Sequence, residues 1–261
     1  LFVMHSINRP HSFDDAYAIW NLRARFLFRA GENWEVGFSS LLPHSDYPLL
    51  IPGSVTRIWA YLGNDTTIGP IIVGMLFTVS TVFLLTSSVG CFRGESQGYL
   101  AGMTLLGITY FTKWGACQWA DVPLSFYFLA NIVVFSFWKR TRKGGLLVLA
   151  GLTGGLAAWT KNEGILFLLA VVSVHSLFNV WEKGWRALPK DLFLVLVGAF
   201  LPLLLLAYFK ATLAPPNDII SPGALDSVIR NMTDASRYVL VVECHDIVNE
   251  KMCQHIVNKV L

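Results

Sequence analysis

From residue 68 onward the chain is a series of long apolar runs separated by short polar knots. A membrane helix needs about 20 apolar residues, with roughly 17 as a lower limit. Residues 68–90, 98–112, 119–138, 144–160, 164–181 and 192–209 form six candidate spans, the second and third joined by a tight polar turn over 113–118. Residues 49–62 are apolar but short, carry Pro52 and Arg57, and follow Pro48; they read as a helix lying along the membrane interface or dipping into it. Ahead of them, residues 13–48 form a long polar stretch with an amphipathic, arginine-bearing run. At the other end Pro215 and Pro216 terminate the sixth run, because proline cannot continue a helix. A further helical pattern lies near 246–261. The pattern predicts an all-α polytopic transmembrane bundle with an outer-face juxtamembrane helical loop. Its expected divisions are a loop region at 1–67, a six-helix bundle at 68–213 and a C-terminal segment at 214–261.

Composition agrees with that pattern. Hydrophobic residues make up 54% of the chain and charged residues only 14%, against about 25% charged in a soluble domain. Mean hydropathy is +0.53. The chain therefore reads as an integral membrane protein with membrane lipids as its surroundings and no nucleic-acid partner. Its opening, Leu1-Phe2-Val3-Met4, reads as the tail of a membrane helix and the chain as a fragment. Cys91, Cys117, Cys244 and Cys253 form no CxxC pair, and Cys244, His245, Cys253 and His255 match no standard zinc spacing. Asn64 and Asn231 head glycosylation sequons, a pattern frequent by chance.

Charge then orients the bundle. Arg93, Lys139, Arg140, Arg142, Lys143, Lys183, Arg186 and Lys190 fall in alternate loops, whereas the opposite short turns carry only Lys113 and Lys161. Positive residues gather on the cytoplasmic side. Alternation places residues 13–48, Asp121 and the segment 160–163 together on the outer face. The arginines of the first stretch run against the bias, which suggests a task such as binding phosphate.

The candidate chemistry sits in that outer group. Carboxylates, cations and a histidine beside a membrane are costly to desolvate and need a reason to be there. Asp14 and Asp15 suit a helix cap for one and a general base for the other, since neighbours on a helix point apart. Arg25 and Arg29 share a helix face and Arg23 points elsewhere; such guanidiniums either reach lipid headgroups or grip a lipid phosphate. His44, Asp46 and Tyr47 pack a histidine, a carboxylate and a phenol into four residues before Pro48, fit for binding donor or acceptor. Asp121, two residues before Pro123, suits a helix cap that also reaches a ligand. Lys161 and Glu163 lie between two spans, where an ammonium either snorkels or neutralises a leaving phosphate. His175, inside an apolar span, suits an interhelical hydrogen bond.

Five pieces, in order, resemble the GT-C superfamily of glycosyltransferases that use polyprenyl-phosphate sugars. They are Asp14-Asp15-Ala16 running into Ala18-Ile19-Trp20-Asn21-Leu22-Arg23-Ala24-Arg25; His44-Ser45-Asp46-Tyr47-Pro48-Leu49; Asp121-Val122-Pro123-Leu124; Thr160-Lys161-Asn162-Glu163-Gly164; and Pro215-Pro216-Asn217-Asp218. The chain looks like protein O-mannosyltransferases, lipid A aminoarabinose transferases and Rgt-type galacturonosyltransferases. The resemblance implies a GT-C-like bundle in a bacterial inner membrane with its active site facing the periplasm. It implies Asp15, or Asp14, as catalytic base, and basic residues such as Arg23, Arg25 and Lys161 near the donor phosphate. His44, Asp46, Tyr47, Asp121 and Glu163 would complete the donor and acceptor site. No cofactor is required, although a divalent metal is compatible with the chemistry. The acceptor would be a lipid, glycan or protein, and the anomeric centre would invert. The chain departs from the family in having Asp-Asp where the eukaryotic mannosyltransferases have Asp-Glu, and Asp-Tyr-Pro-Leu where many relatives have Pro-Pro-Leu. The rivals are a secondary transporter or flippase, which would place its charges near the midplane and show repeats, and a scaffold without chemistry.

Overall fold

The computed structural model describes residues 1–12, 16–29, 31–40, 42–185 and 188–215. Asp14 and Asp15, the exit residues 216–218, the cysteine–histidine set near 244–255 and the C-terminal helical pattern lie outside the described residues. Described residues are helical or irregular, and no strand occurs among them.

The chain opens with a short helix α1 (Phe2–Asn8), followed by a π-helical turn at Ala16–Asn21 that runs directly into α2 (Leu22–Arg29). A single π turn re-aims side chains relative to an α-helix and is frequent at functional sites. A 3-10 segment, Gly31–Phe38, leads to the loop around His44–Pro48 and then to α3 (Leu50–Leu62). Pro48 keeps Tyr47 non-helical, as its ring demands, and Pro52 falls in the first turn of α3, where its missing N–H costs nothing. One face of α3 buries Ile51, Val55 and Trp59. Val55 and Trp59 pack with Ala24 of α2 and Val73 of the next helix, which fastens the polar stretch to the bundle.

The bundle itself comprises α4 (Ile68–Arg93), α5 (Glu95–Gly107), α6 (Thr109–Ala116), α7 (Asp121–Thr141), α8 (Gly144–Thr160), α9 (Asn162–Lys183) and α10 (Leu188–Thr212). Among the described residues four helices are long and apolar enough to cross a membrane, namely α4, α7, α9 up to Glu182, and α10. With the all-helical architecture this makes the chain a polytopic membrane protein. The expected span at 98–112 is not one helix. It divides at Ile108, whose backbone is extended (φ −74°, ψ 98°). Gly107 and the β-branched pair Ile108-Thr109 weaken the helix at that point, and the 13 residues of α5 rise only about 20 Å, short of a ~30 Å hydrocarbon core.

Although only 17 residues long, α8 is the centre of the bundle, packing against α7, α9 and α10. Its sequence explains how: Ala150, Gly151, Gly154, Gly155, Ala157 and Ala158 are all buried, so neighbouring backbones approach closely. A Cβ at Gly151 would collide with the Val195 carbonyl, and one at Gly198 with the Val148 carbonyl. Between α7 and α8, the fully buried Asn131 donates to the Ala150 carbonyl at 2.7 Å and to Thr153 Oγ1 at 3.2 Å.

Candidate functional site

At the end of the bundle where α7 and α9 begin, four separate segments close around a cavity of about 150 Å³. Its walls are Ile19 and Trp20 of the π-helical turn, His44 and Tyr47 of the loop, and Trp119, Asp121 and Lys161 at the helix ends. His44, Tyr47, Asp121 and Lys161, singled out from sequence in three different stretches, thus share one chamber. The rings of His44 and Tyr47 stack at 4.9 Å, and Trp20 stacks on Tyr47 at 5.6 Å. The buried indole N–H of Trp119 has no acceptor among the described residues.

Lys161 interrupts the helix pair α8–α9 with an extended backbone (φ −156°, ψ 153°), which swings its side chain out of both spans. Its ammonium lies 3.1 Å from Asp121 Oδ1, 3.2 Å from Glu163 Oε1 and 5.8 Å from the centre of the Tyr47 ring. Burial works against the charge, but Asp121 and Glu163 outweigh it and hold the Lys161 pKa above its ordinary value. Asp121 is the first residue of α7, one past the N-cap Ala120, and its carboxylate goes to Lys161.

Beneath the cavity the loop is fixed by charge. Arg23 is 1% exposed and donates to the Tyr47 carbonyl at 2.7 Å and the His44 carbonyl at 2.5 Å. Burial pushes its pKa down to about 10 against the opposing pull of Asp46 and Tyr47. Those two grips hold His44 in left-handed backbone (φ 48°), a conformation that a non-glycine residue keeps only when its surroundings impose it. Asp46, 2% exposed, accepts from Asn162 Nδ2 at 2.8 Å and from Lys210 Nζ at 3.1 Å, and Lys210 also donates to the Asp46 carbonyl at 2.5 Å. The loop is therefore tied to the start of α9 and the end of α10 together.

Arg25 sits elsewhere. It and Arg29 do share a face, but their common partner is Asp65, at 3.1 Å from Arg25 Nε and 2.5 Å from Arg29 Nη2. The hydrogen bond from Arg29 holds the Asp65 carboxyl below its ordinary pKa against the cost of burial, and Arg25 adds to it. Arg23 and Arg25 are thus both engaged within the fold. His175 is buried among Phe135 and Trp138 near the far end of the bundle. Asp14 and Asp15, outside the described residues, immediately precede Ala16, the first residue of the π-helical turn whose Ile19 and Trp20 wall the cavity.

Trp20, Trp119, Asn162 and Lys210 escaped the reading by residue type. Lys210 could have been noticed: a lysine closing an apolar run on the outer side runs against the charge bias. Trp119 and Trp20 had no signal beyond the aromatic preference for membrane interfaces. Among the described residues no three His, Cys, Asp or Glu side chains gather as a metal site.

No curated protein and no solved structure matches the chain. A family model does: that of the dolichyl-phosphate-mannose-protein mannosyltransferases matches residues 48–209, well over half of the chain. The match runs from the loop proline through α3 and most of α10, and includes Asp121, Lys161 and Glu163 but none of residues 13–47. The chain therefore belongs to the dolichyl-phosphate-mannose-protein mannosyltransferase family and is a membrane glycosyltransferase of the GT-C kind.

Proposed function

We propose that this enzyme moves a sugar from a polyprenyl-phosphate carrier to a lipid, glycan or protein acceptor at the outer membrane face, in a bacterium the periplasmic side of the inner membrane. The observation that carries the reading is the meeting of His44, Tyr47, Asp121 and Lys161 around one cavity also walled by Ile19 and Trp20, a few residues after Asp14-Asp15 in sequence. Asp15, with Asp14 as its neighbour, takes the proton from the acceptor hydroxyl. The acceptor oxygen bonds to the anomeric carbon as the bond from that carbon to the phosphate oxygen breaks, and the lipid phosphate leaves with the electron pair. Attack from the side opposite the phosphate inverts the centre.

A lipid phosphate leaves readily and needs its charge neutralised rather than a proton supplied. Lys161 suits that task, because its neighbours Asp121 and Glu163 keep it protonated. The aromatic faces of Trp20 and Tyr47 offer a wall for the C–H face of a sugar ring, and the Trp119 N–H offers a donor to a hydroxyl. Asp46 and Arg23 position the loop rather than touch substrate.

Mass spectrometry of lipids and surface glycans, with and without the protein, identifies donor and acceptor. Asp15→Asn is expected to lower transfer by roughly 10²–10⁴-fold, the usual contribution of a general base, at unchanged expression. Transfer that persists in both Asp14→Asn and Asp15→Asn rejects the mechanism.

A further inference from the structure

At the opposite end of the bundle a second, larger cavity has no part in this chemistry. It is an apolar cleft of about 440 Å³ between α7 and α9, within the roughly 300–1,000 Å³ range of small-molecule sites. On α9 its lining runs from Phe167 to Glu182, about 22 Å at 1.5 Å per residue, which exceeds the ~15 Å of one leaflet of hydrocarbon. Phe135, Phe167 and Phe178 give it aromatic walls. Its mouth is charged. Lys139 Nζ lies over the Phe178 ring at 5.2 Å and 3.2 Å from Glu182, while Arg142 lies 2.9 Å from the same carboxylate.

Both cations remain open to further partners, with side chains 59% and 42% exposed. Arg140 and Lys143 stand beside them in sequence, and one carboxylate, Glu182, pairs with both Lys139 and Arg142. Asn179 also lines the cleft; it is 3% exposed, its Nδ2 donates to Asp191 at 2.8 Å, and its Oδ1 has no partner among the described residues. A buried acceptor left open in this way calls for a donor from a ligand.

We propose that this cleft binds one anionic phospholipid with a hydroxylated head group, drawn from the leaflet at the basic end. One acyl chain lies between α7 and α9, the phosphate is held by Lys139 and Arg142, and a head-group hydroxyl donates to Asn179 Oδ1. Three features select this occupant. Basic pockets between membrane helices suit anionic head groups, the cleft is long enough to take an acyl chain through a whole leaflet, and its polar atoms complement a phosphate and a hydroxyl rather than an apolar helix. The site is independent of the sugar-transfer reading and stands or falls separately from it.

Native mass spectrometry of the delipidated protein, titrated with phosphatidylglycerol or phosphatidylcholine of the same chains, tests it. Phosphatidylglycerol adducts should exceed phosphatidylcholine adducts roughly thirty-fold, as two basic side chains at a membrane surface would give. Lys139→Ala combined with Arg142→Ala should abolish the preference, and both residues are exposed enough for the fold to survive. Ala170→Trp, which fills the cleft, should remove retention of both lipids, whereas Arg57→Ala at the other end should change nothing. Equal retention of the two lipids, or a preference that survives both cleft variants, overturns the proposal. So does an Ala170→Cys variant that cross-links to a second copy of the chain, because the cleft would then be a protein interface.

Discussion

At the scale of single residues, pairing decides which charges are structural and which remain available. Asp121 and Glu163 are 44% and 52% exposed in their pairs with Lys161, so these bridges add little to stability. Lys161→Met should therefore shift stability by about 1 kcal/mol or less in a detergent melt, yet reduce transfer about 100-fold, as loss of one charge-stabilising group does. The raised pKa of Lys161 favours the folded state below the ordinary lysine value, and that contribution is lost only as pH rises through the folded value. Transfer should accordingly hold on the alkaline side up to and past the ordinary lysine range, as a pH–rate profile would read.

Asp65 shows the opposite sign. Its carboxyl pKa is lowered by Arg29 and Arg25, so its contribution exists above the unfolded pKa and disappears as pH falls through the folded one. Asp65→Asn should lower the melting temperature at neutral pH, and the gap to the wild type should close in acid. Asp46, by contrast, is buried. Asp46→Asn should cost on the order of 3 kcal/mol, the range for removing one partner of a buried pair, together with most of the activity. The sequence made His44, Asp46, Tyr47, Asp121 and Lys161 legible as polar groups in apolar company. It could not show that Asp65, forty residues on, would take up Arg25, because partner choice is a property of the folded chain.

At the scale of elements, apolar periodicity located α4, α7, α8, α9 and α10 to within a few residues, because hydrocarbon leaves a chain no other way to satisfy its backbone. The division at Ile108 was not legible: residues 98–112 are apolar throughout, and only Gly107 and the branched residues after it mark the break. The close approach of α8 and α10 rests on glycine. Gly151→Val should force the two helices apart and cost about 3 kcal/mol, visible as a loss of melting temperature with the helical circular-dichroism signal retained. A conservative change on the lipid-facing side of α10, such as Leu201→Ile, should be silent by the same assay.

At the scale of the molecule, charge separates the two ends. Lys139, Arg142 and Glu182 cluster at one end, and Lys161, Asp121 and Glu163 at the other. Single cysteines at Asn64 and Arg142 should react with a membrane-impermeant maleimide from opposite sides of the membrane; reaction of both from one side would invalidate the topology. That the two ends differ in charge was legible from the loops alone, whereas their different cavities were not, because each is walled by residues brought together from distant segments.

The anchoring of Asp46 by Lys210 sets the order in which this enzyme can become competent. The ribosome delivers the anionic loop early and its counter-charge 164 residues later, so while the intervening helices insert the loop has only Arg23 and then Asn162 to hold it. A nascent chain arrested after α9 would carry every residue that lines the cavity and still lack the cation that pairs with Asp46. The full set of tethers on this loop is thus reserved for chains whose last described helix has entered the bilayer.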